Sequence, residues 1–195
     1  MGTSTQLVAT TQSVLFGDNK GTHFNDLETV LGIPANVTIN VDKPITSITV
    51  MHGYVVDGIE ITYSESDSAA TTTTVSHGTS SECTDLNLKK SHIYFGDTEN
   101  IIAVSGLQGV SEWGLRILQL SFVIYDSKTG GVRVEGPFGG GVGDSVQPFR
   151  FTANGILIGF GGFAVNTDTN LGSFTSGETG GLYGLTFFDV AYRCA

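Results

Sequence analysis

Three times along this chain a strand-like segment meets a glycine turn, resumes as a longer strand, and is followed by a strand entering a glycine-rich loop. The turn-to-strand joints read Gly53-Tyr-Val-Val-Asp57-Gly-Ile-Glu-Ile-Thr-Tyr63, then Gly106-Leu-Gln-Gly-Val with Leu115 to Phe122, then Gly180-Gly-Leu-Tyr-Gly184-Leu-Thr-Phe-Phe188. The loops are Gly17 to Gly21, His77 to Ser81 and Gly136 to Gly143. A repeated unit that cannot bury its own apolar face must bury it against its neighbours. Three units of about four strands therefore predict three antiparallel sheets around one apolar axis. The turns and loops are expected to gather at sheet ends, where sites usually lie.

The rest of the chain agrees with an all-β reading. No window keeps apolar residues at helical spacing for three turns, while Val, Ile, Thr and Phe are dense in short runs. At 195 residues one domain is expected, with 1–12 a lead-in or peripheral strand and 13–195 the folded unit. Glycine is 27 of these residues but proline only 4, so the chain is glycine-punctuated rather than a low-complexity linker. A net charge of −10 argues against nucleic acid or an anionic membrane surface as partner. No secretory leader and no apolar run of membrane-spanning length is read, which fits a cytoplasmic or non-classically secreted protein. Cys83 and Cys194 are too few for a disulfide framework; one bridge or two thiols both remain open.

Strands are expected at 13–16, 45–50, 55–63, 71–75, 84–88, 101–105, 115–125, 132–134, 148–152, 155–160 and 185–192, with a turn at Ser105 to Gly109. Trp113 is read as packing at a strand start, and Asn166 to Thr179 as a polar excursion. Asn36-Val37-Thr38 fits a glycosylation sequon.

The joint from Gly53 to Asp57 carries the chemistry. A glycine lets the backbone turn tightly or a ligand approach its amides. Asp57 adds acceptor-only oxygens beside those donors, a combination suited to a polyhydroxylated ligand such as a sugar. The competing reading is that Asp57 caps its own turn.

Gly53 to Tyr63 resembles the ligand-loop strand of jacalin-related lectins. Gly136-Pro-Phe-Gly-Gly140, Pro148-Phe149 and Asn154-Gly-Ile-Leu-Ile-Gly-Phe160 resemble that family's Gly-Pro-Phe/Tyr-Gly loop and its strand ending in Gly-Phe, and Ile101 to Gly106 resembles its middle repeat. The resemblance implies a β-prism I fold: three four-stranded antiparallel Greek-key sheets with a pseudo-threefold repeat. It implies binding of mannose/glucose-type or galactose-type sugars without catalysis, through a Gly-x-x-x-Asp loop facing a glycine-rich loop. Carried onto this sequence, the first-repeat site comprises Gly53, Tyr54, Val55, Val56 and Asp57, facing His77 and Gly78. A second candidate, in the last repeat, comprises Gly17, Gly21, Gly180, Gly181, Leu182 and Tyr183, with Gly184 where the acid is expected. The middle repeat, Gly106 to Val110, has no carboxylate, and no site is expected there.

No cofactor or metal is implied, since metal-ligand spacing is absent. Glycans or glycoproteins are the expected partners, and weak single sites favour a homo-oligomer. Asp57 and Glu60, three apart on a strand, point to opposite faces and do not form a glycosidase pair. The main alternative is a prism kept for protein interaction or oligomerisation.

Overall fold

The computed structural model describes residues 9–33, 40, 42–65, 71–83, 88–166 and 180–191. In chain order the strands are β1 (Ala9–Gln12), β2 (Phe16–Gly17), β3 (Thr22–Asn25), then a one-turn helix α1 (Asp26–Thr29). They continue as β4 (Ile45–His52), β5 (Val56–Ser64), β6 (Thr72–Gly78), β7 (Lys89–Tyr94), β8 (Glu99–Ser111), β9 (Gly114–Asp126) and β10 (Val132–Phe138). The last three are β11 (Asp144–Thr152), β12 (Ile156–Val165) and β13 (Gly181–Ala191).

Every pairing is antiparallel, and the strands form three sheets. The first has the order β6-β5-β4-β7 and the second β10-β9-β8-β11. The third runs β1-β13-β12-β3, with the short β2 also on β13, so β1 and β2 share one outer place. Each sheet thus has a central hairpin (β4–β5, β8–β9, β12–β13) flanked by an outer strand on either side. These are the three antiparallel sheets read from the repeat, arranged as the β-prism that the resemblance implies.

The alternation of apolar residues explains which faces meet. In β5, Ile59, Ile61 and Tyr63 are buried, with Glu60 and Thr62 partly exposed between them. Ile117, Leu120 and Phe122 are likewise buried in β9, and Leu185 and Phe187 in β13, where the intervening Thr186 is buried too. Burying one such side chain is worth about 1.5–3 kcal/mol. Phe160 meets Phe122 and Phe187 edge to face, at 6.4 and 5.7 Å between ring centroids, which joins the second and third sheets.

One buried polar group links the first and third sheets. Asp26, fully buried in the first turn of α1, accepts hydrogen bonds from Tyr63 Oη (2.7 Å) and His77 Nε2 (2.8 Å). Tyr63 Oη in turn accepts from Phe160 N at 3.3 Å. Burial, and then the Asp26 carboxylate, push the Tyr63 hydroxyl pKa well above its ordinary value.

Some local expectations change. Ser105 to Gly109 is no turn: it lies inside β8, whose hairpin with β9 turns at Ser111 to Gly114. Glycines are needed there for packing, since a Cβ on Gly106 would lie 2.0 Å from Gln119 O and 2.7 Å from Phe149 Cζ. Trp113 consequently stands at a hairpin tip rather than at a packed strand start. Gly136 to Phe138 extend β10 instead of opening a loop. The outer strand after β6 is Lys89–Tyr94; residues 84–87 lie outside the described residues, as do the sequon, Cys194 and 167–179. Cys83 is a buried free thiol.

Candidate functional site

The central hairpins share two register shifts, and the one nearer the turn defines the site. In β4–β5, His52 pairs with Val56 and Met51 with Gly58, so Asp57 is an extra, bulged residue. In β8–β9, Gln108 pairs with Ile117 and Leu107 with Gln119, which leaves Leu118. In β12–β13, Ala164 pairs with Leu182 and Phe163 with Gly184, which leaves Tyr183. A bulge of this kind re-aims a side chain and is common beside functional sites.

Each bulge meets a glycine-rich loop in the same way. The carbonyl of Asp57 accepts from Thr79 N (3.0 Å), that of Leu118 from Gly141 N (3.2 Å), and that of Tyr183 from Asp18 N (3.0 Å). At Gly78, Gly139 and Gly17, all with positive φ, a Cβ would lie 2.5, 2.3 and 2.3 Å from those three carbonyls. The loops approach this closely only because these positions carry no side chain.

Register corrects the expected alignment of the last repeat. Counting from Gly180 sets Gly184 against Asp57, whereas the pairing sets Tyr183 there, and Gly184 matches Gly58. Both glycines face a loop carbonyl: a Cβ would be 2.2 Å from Thr79 O at Gly58 and 2.3 Å from Asp18 O at Gly184. The middle repeat likewise turns at Gly114 and bulges at Leu118, not at Gly106 to Val110. The signal was in the alternation, because Leu185 and Phe187 match Ile59 and Ile61 only if Tyr183 matches Asp57.

The three positions have different surroundings. Asp57 is partly exposed, while Leu118 and Tyr183 have 0% exposure. The Tyr183 ring lies under the Arg116 guanidinium, 3.6 Å from its carbon, and Lys20 Nζ of the facing loop is 5.2 Å away. Arg116, 2% exposed, donates from Nη1 to Leu182 O (3.2 Å) and from Nη2 to Gly180 O (3.4 Å). Burial lowers its pKa, and the nearby Tyr183, Asp57 and Asp18 raise it again. This cation therefore sits between the last-repeat turn and Asp57.

The other expected site residues divide between main-chain and side-chain roles. Gly53 N donates to Val55 O at 3.0 Å, which closes the turn. Val55 and Val56 are buried, as is Leu182, so these residues offer only backbone groups. Tyr54 is 74% exposed at the tip. Gly78 packs between Asp57 O and the backbone of Gly181 and Leu182, and its N–H donates to Asn166 Oδ1 at 2.9 Å. The first-repeat and last-repeat candidates are thus neighbours. His77 does not face them: its ring stacks on Phe24 at 3.6 Å and bonds Asp26. Gly17 N donates to Gln108 Oε1 at 2.6 Å, while Gly21 packs on Ala164 O, where a Cβ would be 2.6 Å away.

The first and middle repeats also touch. Gly140 N donates to Tyr54 O (3.1 Å) and Gly139 N to His52 Nδ1 (3.2 Å). Accepting that bond needs an unprotonated Nδ1, and burial, then Lys89, lower the His52 pKa accordingly. No group of three or more metal-ligating side chains occurs among the described residues. No helix there is long and apolar enough to cross a membrane.

A family model described as the jacalin-like lectin domain matches residues 11–173. Comparison with curated proteins gives no match. Among solved structures, a mannose-binding jacalin-related lectin from Ananas comosus superposes with a TM-score of 0.61 at 18% identity, over 92% of this chain and 96% of that one. Frutalin from Artocarpus incisa gives 0.62 at 17% identity, over 97% of this chain and 100% of that one. A mannose-specific jacalin-related lectin from Morus nigra, solved with mannose, gives 0.61 at 19% identity, over 98% and 99%. These structural likenesses concern the fold. The family-model match, spanning most of the length and the bulges at Asp57 and Leu118, carries the assignment: this chain belongs to the jacalin-like lectin domain family.

Proposed function

We propose that the protein is a non-catalytic lectin that binds a mannose/glucose-type or galactose-type sugar at its first-repeat turn. The observation that carries this reading is the identity of the bulged residue: Asp57 is acidic and partly exposed, whereas Leu118 and Tyr183 are buried. A carboxylate there accepts hydrogen bonds from two adjacent sugar hydroxyls, bonds stronger than neutral ones. The N–H groups of Gly53 and Gly78 are already engaged by Val55 O and Asn166 Oδ1. Donors to the sugar therefore fall to Tyr54 and its neighbours. Arg116 holds positive charge near Asp57, which complements the carboxylate.

Such a site is open to water, and exchanging water hydrogen bonds for sugar ones nets about 1 kcal/mol each. Affinity per site is weak, and useful avidity comes from a homo-oligomer engaging several glycans at once. The buried Leu118 and Tyr183 favour the second reading, a prism whose sugar sites have been given over to protein contacts.

Calorimetric titration with mannose, glucose and galactose separates the two. Saturable binding of one sugar, abolished by Asp57→Ala, is expected. No heat with any of the three would favour the scaffold, and binding that survives Asp57→Ala would move the site.

A further inference from the structure

The middle repeat was the one expected to carry no site, yet its hairpin walls a cleft of about 470 Å³. The β8–β9 ladder runs past its bulge to the pair Ser111–Gly114, so this tip projects beyond the β4–β5 turn. The cleft lies between that tip, the Tyr54 turn and the Val142 to Asp144 loop. Its walls are Tyr54 and Trp113, with ring centroids 6.5 Å apart. Val110 and Val142 add apolar surface, and the polar contributions include Ser111, Glu112 and Asp144.

Two independent observations point to a ligand. Three large apolar side chains are exposed together here: Tyr54 is 74% exposed, Val142 74% and Val110 42%. Contiguous exposed apolar surface with a polar rim commonly marks a binding site. The walls are also fixed beforehand. Ser111 Oγ donates to Gly114 O (3.1 Å) and accepts from Trp113 N (3.2 Å), which sets the tip that carries Trp113. Gly140 N holds the Tyr54 carbonyl, and at Gly143 a Cβ would lie 2.8 Å from Val110 O. Preorganised walls reduce the ordering cost of binding.

We infer that this cleft is a second carbohydrate site, for a neutral pyranose that stacks on the exposed Tyr54 ring with its edge against Trp113. Flat aromatic faces match the C–H face of a sugar ring, while the Glu112 and Asp144 carboxylates and the Ser111 hydroxyl accept from its hydroxyls. Among the described residues no cationic side chain lines the cleft, so sialylated or uronic glycans are disfavoured. The site differs in kind from the turn at Asp57, since Leu118 fills the acid's place in this repeat. The inference extends the lectin reading but does not depend on Asp57.

Trp113 is the chain's single tryptophan, so its emission reports the surroundings of this cleft, and Asp57→Ala removes any contribution from sugar at the first-repeat turn. The full chain is titrated with mannose-rich oligosaccharide, cellotriose, chitotriose and lactose, following tryptophan fluorescence. One of them produces a saturable blue shift that persists in Asp57→Ala and is weakened about tenfold, about 1.4 kcal/mol, in Tyr54→Ala. Tyr54 is exposed, so that variant keeps the fold.

Unchanged emission with all four glycans overturns the inference. If monosaccharide heats sensitive to Asp57→Ala remain in that case, the first-repeat reading stands alone. A shift lost in Asp57→Ala also overturns it, because one site then explains the signal. A shift produced by a lysine-rich peptide and by no glycan assigns the cleft to protein contacts and overturns it too.

Discussion

The turns of the first and last repeats occupy matching places in the prism and differ in what they present. Both have a bulge, a loop N–H on the bulge carbonyl at 3.0 Å, and a loop glycine with φ near +85°. At the bulge, the first repeat carries Asp57 and the last Tyr183. The Tyr183 ring is roofed by Arg116 and flanked by Lys20, while Asp57 remains partly open. The comparison separates two demands on one motif. The backbone arrangement is structural and is kept in all three repeats; the bulged side chain is free to become a ligand acceptor or a packing group.

The comparison breaks most visibly at Tyr183. Replacing it with alanine removes a fully buried ring and its cation contact, and is expected to destabilise the protein by about 3–5 kcal/mol in urea unfolding. Asp57→Ala, at a partly exposed position, should cost far less stability. Equal losses would mean that both bulges are structural.

The glycine after each bulge sharpens the symmetry. Gly58→Ala and Gly184→Ala both drive a Cβ into a loop carbonyl, at 2.2 and 2.3 Å. Each is expected to cost about 2 kcal/mol by thermal melting, and the two should agree closely. If one variant melts like the parent, the repeats are not equivalent.

The smallest effect lies far from the turns and serves as a control. Glu99, at the start of β8, is bonded by Arg133 Nε (2.7 Å) and by Gly96 N (2.8 Å), and these hold its carboxyl down to about 2 from the usual 4.5. A depressed native pKa stabilises the fold above the unfolded value, and this contribution is lost as pH falls from about 5 toward 2. Partial exposure limits it to about 0.5 kcal/mol. Melting curves of the parent and Glu99→Gln should therefore differ slightly at pH 6 and converge near pH 2, with sugar binding at pH 6 unaltered.

The prism was legible in the sequence because its causes are local. Alternation such as Ile59, Ile61 and Tyr63 names a half-buried strand, and three recurring joints name three sheets. The middle turn was misplaced because Gly106 and Gly109 look like punctuation. They are strand glycines that admit Phe149 and Leu118. Asp57 stood out, but its counterpart was displaced by one residue, since spacing from a glycine does not see a bulge. Arg116 and the inward turn of His77 onto Asp26 depend on contacts between distant strands. Neither leaves a mark in the local pattern. The Tyr54–Trp113 cleft was hidden for the same reason: its two walls belong to different repeats.

The central claim is that sugar binds at the first-repeat bulge and not at the last. Amide chemical shifts, followed by NMR as the bound monosaccharide is added, test it directly. The account predicts saturable shifts at Tyr54, Val55 and Asp57, while Asp18, Asn19 and Gly21 of the last-repeat loop stay in place. Shifts centred on Asp18 to Gly21, with Tyr54 to Asp57 unmoved, would contradict it.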